Sequence, residues 1–220
     1  MRLIFDLDGT LVDSAGDIHA AVARLLAEEG RAALPLSLVR SFIGEGTEVL
    51  IARVIGAVAA AEGRAAPEGR QADWHGRFLA IYTAQPVALT TVMPGAREAL
   101  TALRAGGWRL GICTNKPPGP TAALLGALDL APLFETVVAG PVDGRRKPAP
   151  EPVLLAARRL GAGPAVYVGD SEIDAAAAHA AGLPFGFFTG GYARAPAEPQ
   201  AFRFDSFADL PRMLAAYAPA

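Results

Sequence analysis

The sequence predicts an α/β fold: a doubly wound parallel sheet with a small helical unit inserted directly after its first strand. Three observations point there. Five short apolar runs have the length and all-round apolarity of strands buried on both faces. Segments of helical length separate the later runs, which is the alternation of βαβ units. The stretch from 14 to about 82 shows helical periodicity with no strand-like run inside it. In chain order, Leu3-Ile4-Phe5 is the first expected strand. Ser14 with Asp17 resembles an N-cap and Gly30 a stop signal, around a helix carrying Ile18, Val22, Leu25 and Leu26. A second helix is expected from Thr47 through Val49, Leu50, Val54 and Ile55, and a third over 71–83. The alanine-rich stretch 57–66 reads as a helix end and loop, and 86–94, with turn residues at both ends, leads back to the sheet. Helices are then expected over 96–105, 120–128, 150–160 and 173–181. They alternate with strands at Leu110-Gly111-Ile112-Cys113, Thr136-Val137-Val138, Ala165-Val166-Tyr167-Val168 and Phe185-Gly186-Phe187-Phe188. The expected units are 1–13 with 86–220 for the sheet and 14–85 for the helical insert.

At 220 residues the chain is long enough for one domain or for a core with a smaller insert, and too short for a large multidomain protein. Apolar residues make up 52% and mean hydropathy is +0.29, but 47 of the apolar residues are alanines. The longest uncharged stretch, 175–193, is broken by His179, Pro184 and several glycines, so no membrane span is expected. Asp6 falls where a secretory signal would still be apolar, so a cytoplasmic protein is expected. The lone Cys113 has no internal disulfide partner and reads as a small buried hydrophobe. Twenty basic and twenty-two acidic residues, without long runs of either sign, leave no nucleic-acid footprint. His19, His75 and His179 lack metal-cluster spacing, and a monomer and a homodimer are equally compatible with the sequence.

Ligands of open α/β sheets bind outside the carboxyl ends of the strands. There the first strand gives Asp6-Leu7-Asp8-Gly9-Thr10, the second Thr114-Asn115, and the run from Ala165 gives Gly169-Asp170-Ser171-Glu172-Ile173-Asp174. Lys147 precedes that last strand in Arg145-Arg146-Lys147-Pro148, and it is one of only two lysines against eighteen arginines. Carboxylates from two strand ends suit a shared hard divalent cation, and a lysine and a threonine hydroxyl suit phosphate oxygens. This is an inventory for phosphoryl transfer. One carboxylate can attack phosphorus to give an acyl phosphate, and another can protonate the leaving alkoxide and later activate water.

Asp6-Leu7-Asp8-Gly9-Thr10-Leu11-Val12, Thr114-Asn115, Lys147-Pro148 and Gly169-Asp170 through Asp174, in this order, resemble the four motifs of the haloacid dehalogenase superfamily across essentially the whole chain. Thr114-Asn115-Lys116-Pro117, the Gly169 to Asp174 motif and Thr189-Gly190-Gly191-Tyr192 are similar to the wording of its phosphoglycolate phosphatase group. The resemblance implies a Rossmann-like core with a helical cap. It implies Asp6 as nucleophile, Asp8 as acid and base, Thr114 and Lys147 on the transferring phosphate, and Asn115 among the substrate-binding residues. It further implies Mg²⁺ held by Asp6, the backbone carbonyl of Asp8 and Asp170, with Asp174 beside it directly or through water. The implied substrate is a small phosphate ester, 2-phosphoglycolate first. Other esters or a β-phosphoglucomutase-like reaction are the alternatives, and a non-catalytic phosphate-metabolite sensor comes third. Gly44-Glu45-Gly46, before the helix from Thr47, is expected to offer backbone N–H groups to the substrate's carboxylate, with the Glu45 charge opposing unless it turns away. The chain departs from the family at Lys147-Pro148-Ala149-Pro150, where members often carry an acid in place of Ala149. Between Ser14 and Pro94 there is no lysine, which counts against a phosphonoacetaldehyde hydrolase and against a mutase, while Asp8 counts against a dehalogenase.

Overall fold

The structure, a computed structural model, describes residues 1–63, 69–84, 87–193, 196 and 198–217. Its elements are β1 (Arg2–Phe5), β2 (Val12–Asp13), α1 (Ala15–Glu28), α2 (Leu36–Arg40), α3 (Thr47–Glu62), α4 (Gln71–Ala84), β3 (Thr91–Val92), α5 (Ala96–Ala105), β4 (Arg109–Thr114), α6 (Pro118–Ala127), β5 (Thr136–Ala139), α7 (Glu151–Arg159), β6 (Ala165–Gly169), α8 (Glu172–Ala180), β7 (Phe185–Phe188), β8 (Phe202–Phe204) and α9 (Leu210–Leu214). Six strands form one parallel sheet in the order β5-β4-β1-β6-β7-β8. The chain runs outward from β1 through β4 to β5, then crosses to the other side at β6. β1 is therefore the point of reversal, and its carboxyl end lies between those of β4 and β6.

Alternation along each strand builds two cores. Leu3 and Phe5 face one way with Leu110, Ile112, Val166 and Val168, beneath Leu100 and Leu103 of α5, Leu124 of α6 and Leu210 of α9. Ile4 faces the other way with Cys113, Val138, Tyr167 and Phe185, beneath Val153 and Ala156 of α7 and Ala175 and Ala178 of α8. Truncating fully buried Phe5 to alanine would cost about 3–5 kcal/mol, a large share of the ~5–15 kcal/mol that holds a domain folded. Helices α1 to α4 bury Val22, Leu25, Leu50, Ile51, Val54, Trp74 and Phe78 in a third core that includes no sheet residue. The two crossings between this unit and the sheet lie side by side, because β2 pairs antiparallel with β3.

All five expected strands are present, each matching or extending by one or two residues. Helix α6 begins at Pro118 rather than Pro120, and α8 at Glu172 rather than Ile173. The elements not expected are α2, the two-residue strands β2 and β3, the edge strand β8, whose three residues centre on Arg203, and α9. One local expectation is corrected. Ser14 stands at the N-cap position of α1 but makes no capping hydrogen bond; its hydroxyl donates to Asp8 Oδ1 at 2.5 Å. Asp17 accepts instead from the backbone N–H groups of Leu89 and Thr90, tying the return segment to α1. Helix α3 ends at Glu62, ahead of Gly63 at φ +61°; the rest of the expected alanine-rich loop, the turn at Pro86 and the expected boundary at 85/86 lie outside the described residues. Among the described residues no helix is long and apolar enough to cross a membrane.

Candidate active site

The strand ends converge as the topology requires. Asp6 follows β1, and its N–H donates to Val168 O at 2.9 Å, which fixes it against the end of β6. Asp170 follows β6; Asp174 sits in the first turn of α8. One carboxylate oxygen from each of Asp6, Asp170 and Asp174 lies within 4.8 Å of the others, and all three side chains are buried. Lys147 Nζ lies 2.6 Å from Asp174 Oδ1 and 2.8 Å from Asp6 Oδ1, and it donates to the Tyr167 hydroxyl at 2.9 Å. Asp174 Oδ2 accepts from Ser171 N and Oγ, while Ser171 Oγ accepts from Asp174 N, so a capping box holds the acid in place. Gly169 makes this approach possible: a Cβ there would stand 2.5 Å from Asp174 Cβ. Asp170 is fixed by Thr10 Oγ1 at 3.0 Å and Tyr192 N at 2.7 Å.

Asp6 and Asp174 share one buried lysine, and the proton affinities of Asp6 and Asp170 rise. Burial, opposed by Lys147 and reinforced by Asp174 and Asp8, pushes Asp6 up to about 7. Burial and then the charges of Asp174 and Asp6 push Asp170 up to about 8. A hard divalent cation between these oxygens would relieve both effects, and an all-carboxylate donor set is the kind such a cation takes. Asp174 gives Oδ1 to the Lys147 ammonium, whereas the Asp170 oxygens meet only a neutral hydroxyl and a backbone N–H, so Asp6 and Asp170 have more to offer the cation.

Asp8 points elsewhere. Its carboxylate takes the Ser14 hydroxyl and Lys116 Nζ, at 3.0 and 3.2 Å to the two oxygens, and the same Nζ donates to the Tyr82 hydroxyl at 2.5 Å. Burial works against charge on Lys116, but Asp8 and Tyr82 outweigh it and hold the ammonium well above its ordinary range. Thr114, at the end of β4, accepts from Lys116 N through Oγ1. The Asn115 side chain is engaged within the protein: Nδ2 donates to Gly44 O and Lys147 O, and Oδ1 accepts from Lys147 N. It ties the glycine loop to the lysine loop. Gly44 and Gly46 adopt φ +127° and +93° beside it, and Glu45 turns to Arg53 in an ion pair, which removes the expected charge conflict.

These residues enclose a cavity of about 30 Å³ between sheet and insert. Asp6, Asp8, Thr114, Asn115 and Lys116 form its floor; Ile18, Ile43, Gly44, Gly46, Leu50, Phe78 and Tyr82 are among its walls. A wider cleft of about 750 Å³ opens on Asp6, Asp8 and Asp170 from the other side, past Arg40, Arg53 and Tyr192.

The haloacid dehalogenase-like hydrolase profile matches residues 2–182. The chain belongs to this family. It is 49% identical over 214 residues to a phosphoglycolate phosphatase of Cereibacter sphaeroides, covering 96% of each chain. It is 42% identical over 212 residues to one of Rhodospirillum rubrum, covering 94% of this chain and 88% of that one. A crystal structure described as a predicted phosphoglycolate phosphatase from Haemophilus somnus superposes with a TM-score of 0.89 at 29% identity, covering 96% of each chain.

Within this haloacid dehalogenase-like hydrolase, four side chains at the site were not singled out from the sequence. Lys116 meets Asp8 and Tyr82, Tyr167 meets Lys147, and the Tyr192 hydroxyl donates to Asp13 Oδ1 while accepting from Ser14 N and Ala15 N. A signal for Lys116 was present: both lysines of the chain are buried at this one site. Cys113 is buried as expected, and burial pushes its thiol up to about 12.

Proposed function

We propose that the chain is an Mg²⁺-dependent phosphomonoesterase that hydrolyses 2-phosphoglycolate to glycolate and phosphate through an aspartyl phosphate on Asp6. The observation that carries this reading is the setting of Asp6: buried at the switch point of the sheet, 2.8 Å from an ammonium, grouped with Asp170, and two residues from a second acid in the same cavity. The names of the relatives support the substrate, and so does the small size of the cavity.

An Asp6 oxygen attacks phosphorus as the ester P–O bond breaks, and Asp8 gives its proton to the departing glycolate oxygen. Asp8 then takes a proton from the water that attacks the phosphorus of the aspartyl phosphate, which releases phosphate and restores Asp6. Acid and base assistance of this kind is worth about 10²–10⁴ in rate. Lys147 and Thr114 hold the transferring phosphate, Lys147 also offsetting charge beside Asp6, and Asn115 keeps their two loops together. Bound Mg²⁺ supplies positive charge that masks the phosphate oxygens, and Asp6, the Asp8 backbone carbonyl and Asp170 would hold it, with Asp174 acting chiefly through Lys147. Residues 14–85 serve as a cap over a core of 1–13 and 86–220, and Gly44 and Gly46 bring the cap's backbone close to substrate and exclude water. The site works inside the cell on a small molecule.

Phosphate release from a panel of 2-phosphoglycolate, β-glucose 1-phosphate and an aryl phosphate, with Mg²⁺ and with a chelator, tests the reading. The expected result is the highest kcat/KM on 2-phosphoglycolate and loss of turnover with chelator. Preference for another ester would overturn the substrate but keep the phosphatase; binding without release would make the chain a sensor.

A further inference from the structure

We infer that Lys116 reads the carboxylate of the substrate and thereby sets the preference for a phosphorylated two-carbon acid. The inference rests on the phosphatase reading above and adds a residue to it. The small cavity has apolar walls, two carboxylates in its floor and, among the described residues that line it, Lys116 as its one cationic side chain. Lys147 lies in the same core but its ammonium is surrounded by Asp174, Asp6 and Tyr167. A trianionic substrate entering a floor that already holds Asp6 and Asp8 needs positive charge at both ends. Lys147 and the cation site meet the phosphate, so the far end falls to Lys116.

The chemistry of the ester gives the same answer. Asp8 must reach the bridging oxygen to protonate it, and in 2-phosphoglycolate the carboxylate carbon is two bonds from that oxygen. A group that touches Asp8 is therefore placed to touch the carboxylate, and Lys116 Nζ is 3.0 Å from Asp8 Oδ1. Its N–H bonds go to the two Asp8 oxygens, at 3.0 and 3.2 Å, and to Tyr82, and a substrate carboxylate beside Asp8 would share them. Tyr82, on α4, holds Lys116 from the insert side, so the carboxylate pocket is complete only where insert and sheet meet. This moves the expected carboxylate contact from the glycine loop to a side chain on the sheet.

The test compares 2-phosphoglycolate with ethyl phosphate, which has the same skeleton with a methyl group in place of the carboxylate, at saturating Mg²⁺. Wild type is expected to favour 2-phosphoglycolate. Lys116→Met is expected to lower kcat/KM on both esters, since Asp8 loses a partner, but to lower it at least thirtyfold further on 2-phosphoglycolate, mostly through KM. Tyr82→Phe, which deletes one hydroxyl, is expected to shift the same ratio about fivefold, and it decides the matter if Lys116→Met does not fold. Equal losses on both esters would overturn the role of Lys116 while the preference of wild type keeps the substrate reading standing. Wild type that treats the two esters alike would overturn both.

Discussion

Lys147 and Asp174 form a 2.6 Å ion pair in which the side chains are 2% and 0% exposed. The pair joins the loop between β5 and α7 to the helix that follows β6, and it fixes the ammonium that faces Asp6. Removing one partner of a buried pair strands the other charge, so Asp174→Ala should destabilise the fold by about 3–5 kcal/mol and misplace Lys147. Asp170→Asn should behave in the opposite sense. It removes a charge that burial and its neighbours disfavour, so metal-free protein should unfold no more easily, while half-saturation by Mg²⁺ moves to higher concentration. Thermal unfolding without metal and activity titrated with Mg²⁺ separate the two variants.

Asp6→Asn keeps the shape of the side chain and removes its nucleophilicity. Turnover should fall below a hundredth, more than ~2.7 kcal/mol of barrier, with circular dichroism unchanged. A variant that retained a tenth of wild-type turnover would end the covalent mechanism.

Asp8→Asn should hurt most where the leaving oxygen is basic. The expected loss on 2-phosphoglycolate exceeds that on a nitrophenyl phosphate by tenfold or more, because the aryl oxide leaves without a proton. Steady-state kinetics on both substrates give the ratio, and a ratio of one would leave Asp8 without its acid role.

The stability of the metal-free chain should fall as pH rises. Asp6 and Asp170 hold their protons up to about 7 and about 8, against an ordinary value of 3.8. Between those limits the folded chain carries protons the unfolded chain has released, so this contribution is whole below pH 3.8 and gone above about pH 8. Mg²⁺ binds the deprotonated acids. The rise in unfolding temperature on adding Mg²⁺ should therefore be larger at pH 8 than at pH 5, and an equal rise at both would place the metal elsewhere.

Gly169→Ala should act at a distance from any substrate. Its Cβ would stand 2.5 Å from Asp174 Cβ and Cγ, so the first turn of α8 must move and carry the acid away from Lys147. A loss of about 1–3 kcal/mol in stability and a lower kcat with little change in KM are expected from denaturation and kinetics.

The sheet was legible because its strands are buried on both faces, and runs such as Ala165-Val166-Tyr167-Val168 have no other use for their apolarity. The four acids of the candidate site were legible because strand ends in this topology collect ligands, and Asp6, Asp8, Asp170 and Asp174 follow two of the three central strands. Elements whose formation depends on distant partners were not. Strand β8 is three residues at a sheet edge, and β2 and β3 are two residues each, too short to carry a period. The same holds for side chains. That Asn115 would spend its amide on two loops, or that Ser14 would turn from its helix to Asp8, depends on what the fold brings beside them. Tyr82 lies 34 residues from Lys116, and no spacing rule links a position on α4 to the end of β4.

In the ribbon of β2 and β3, Val12 stands opposite Val92 and Asp13 opposite Thr91. Everything between Asp13 and Thr91 thus departs from and rejoins the sheet at a single doorway, which a two-residue hairpin turn could close. Among the described residues of that interval, only the partly buried Val87 packs against a sheet core. The sheet is in this sense a nearly self-sufficient chassis, and the insert is a cassette that can lengthen, shrink or be exchanged through one doorway while the strand ends, and Lys116 beside them, stay in place.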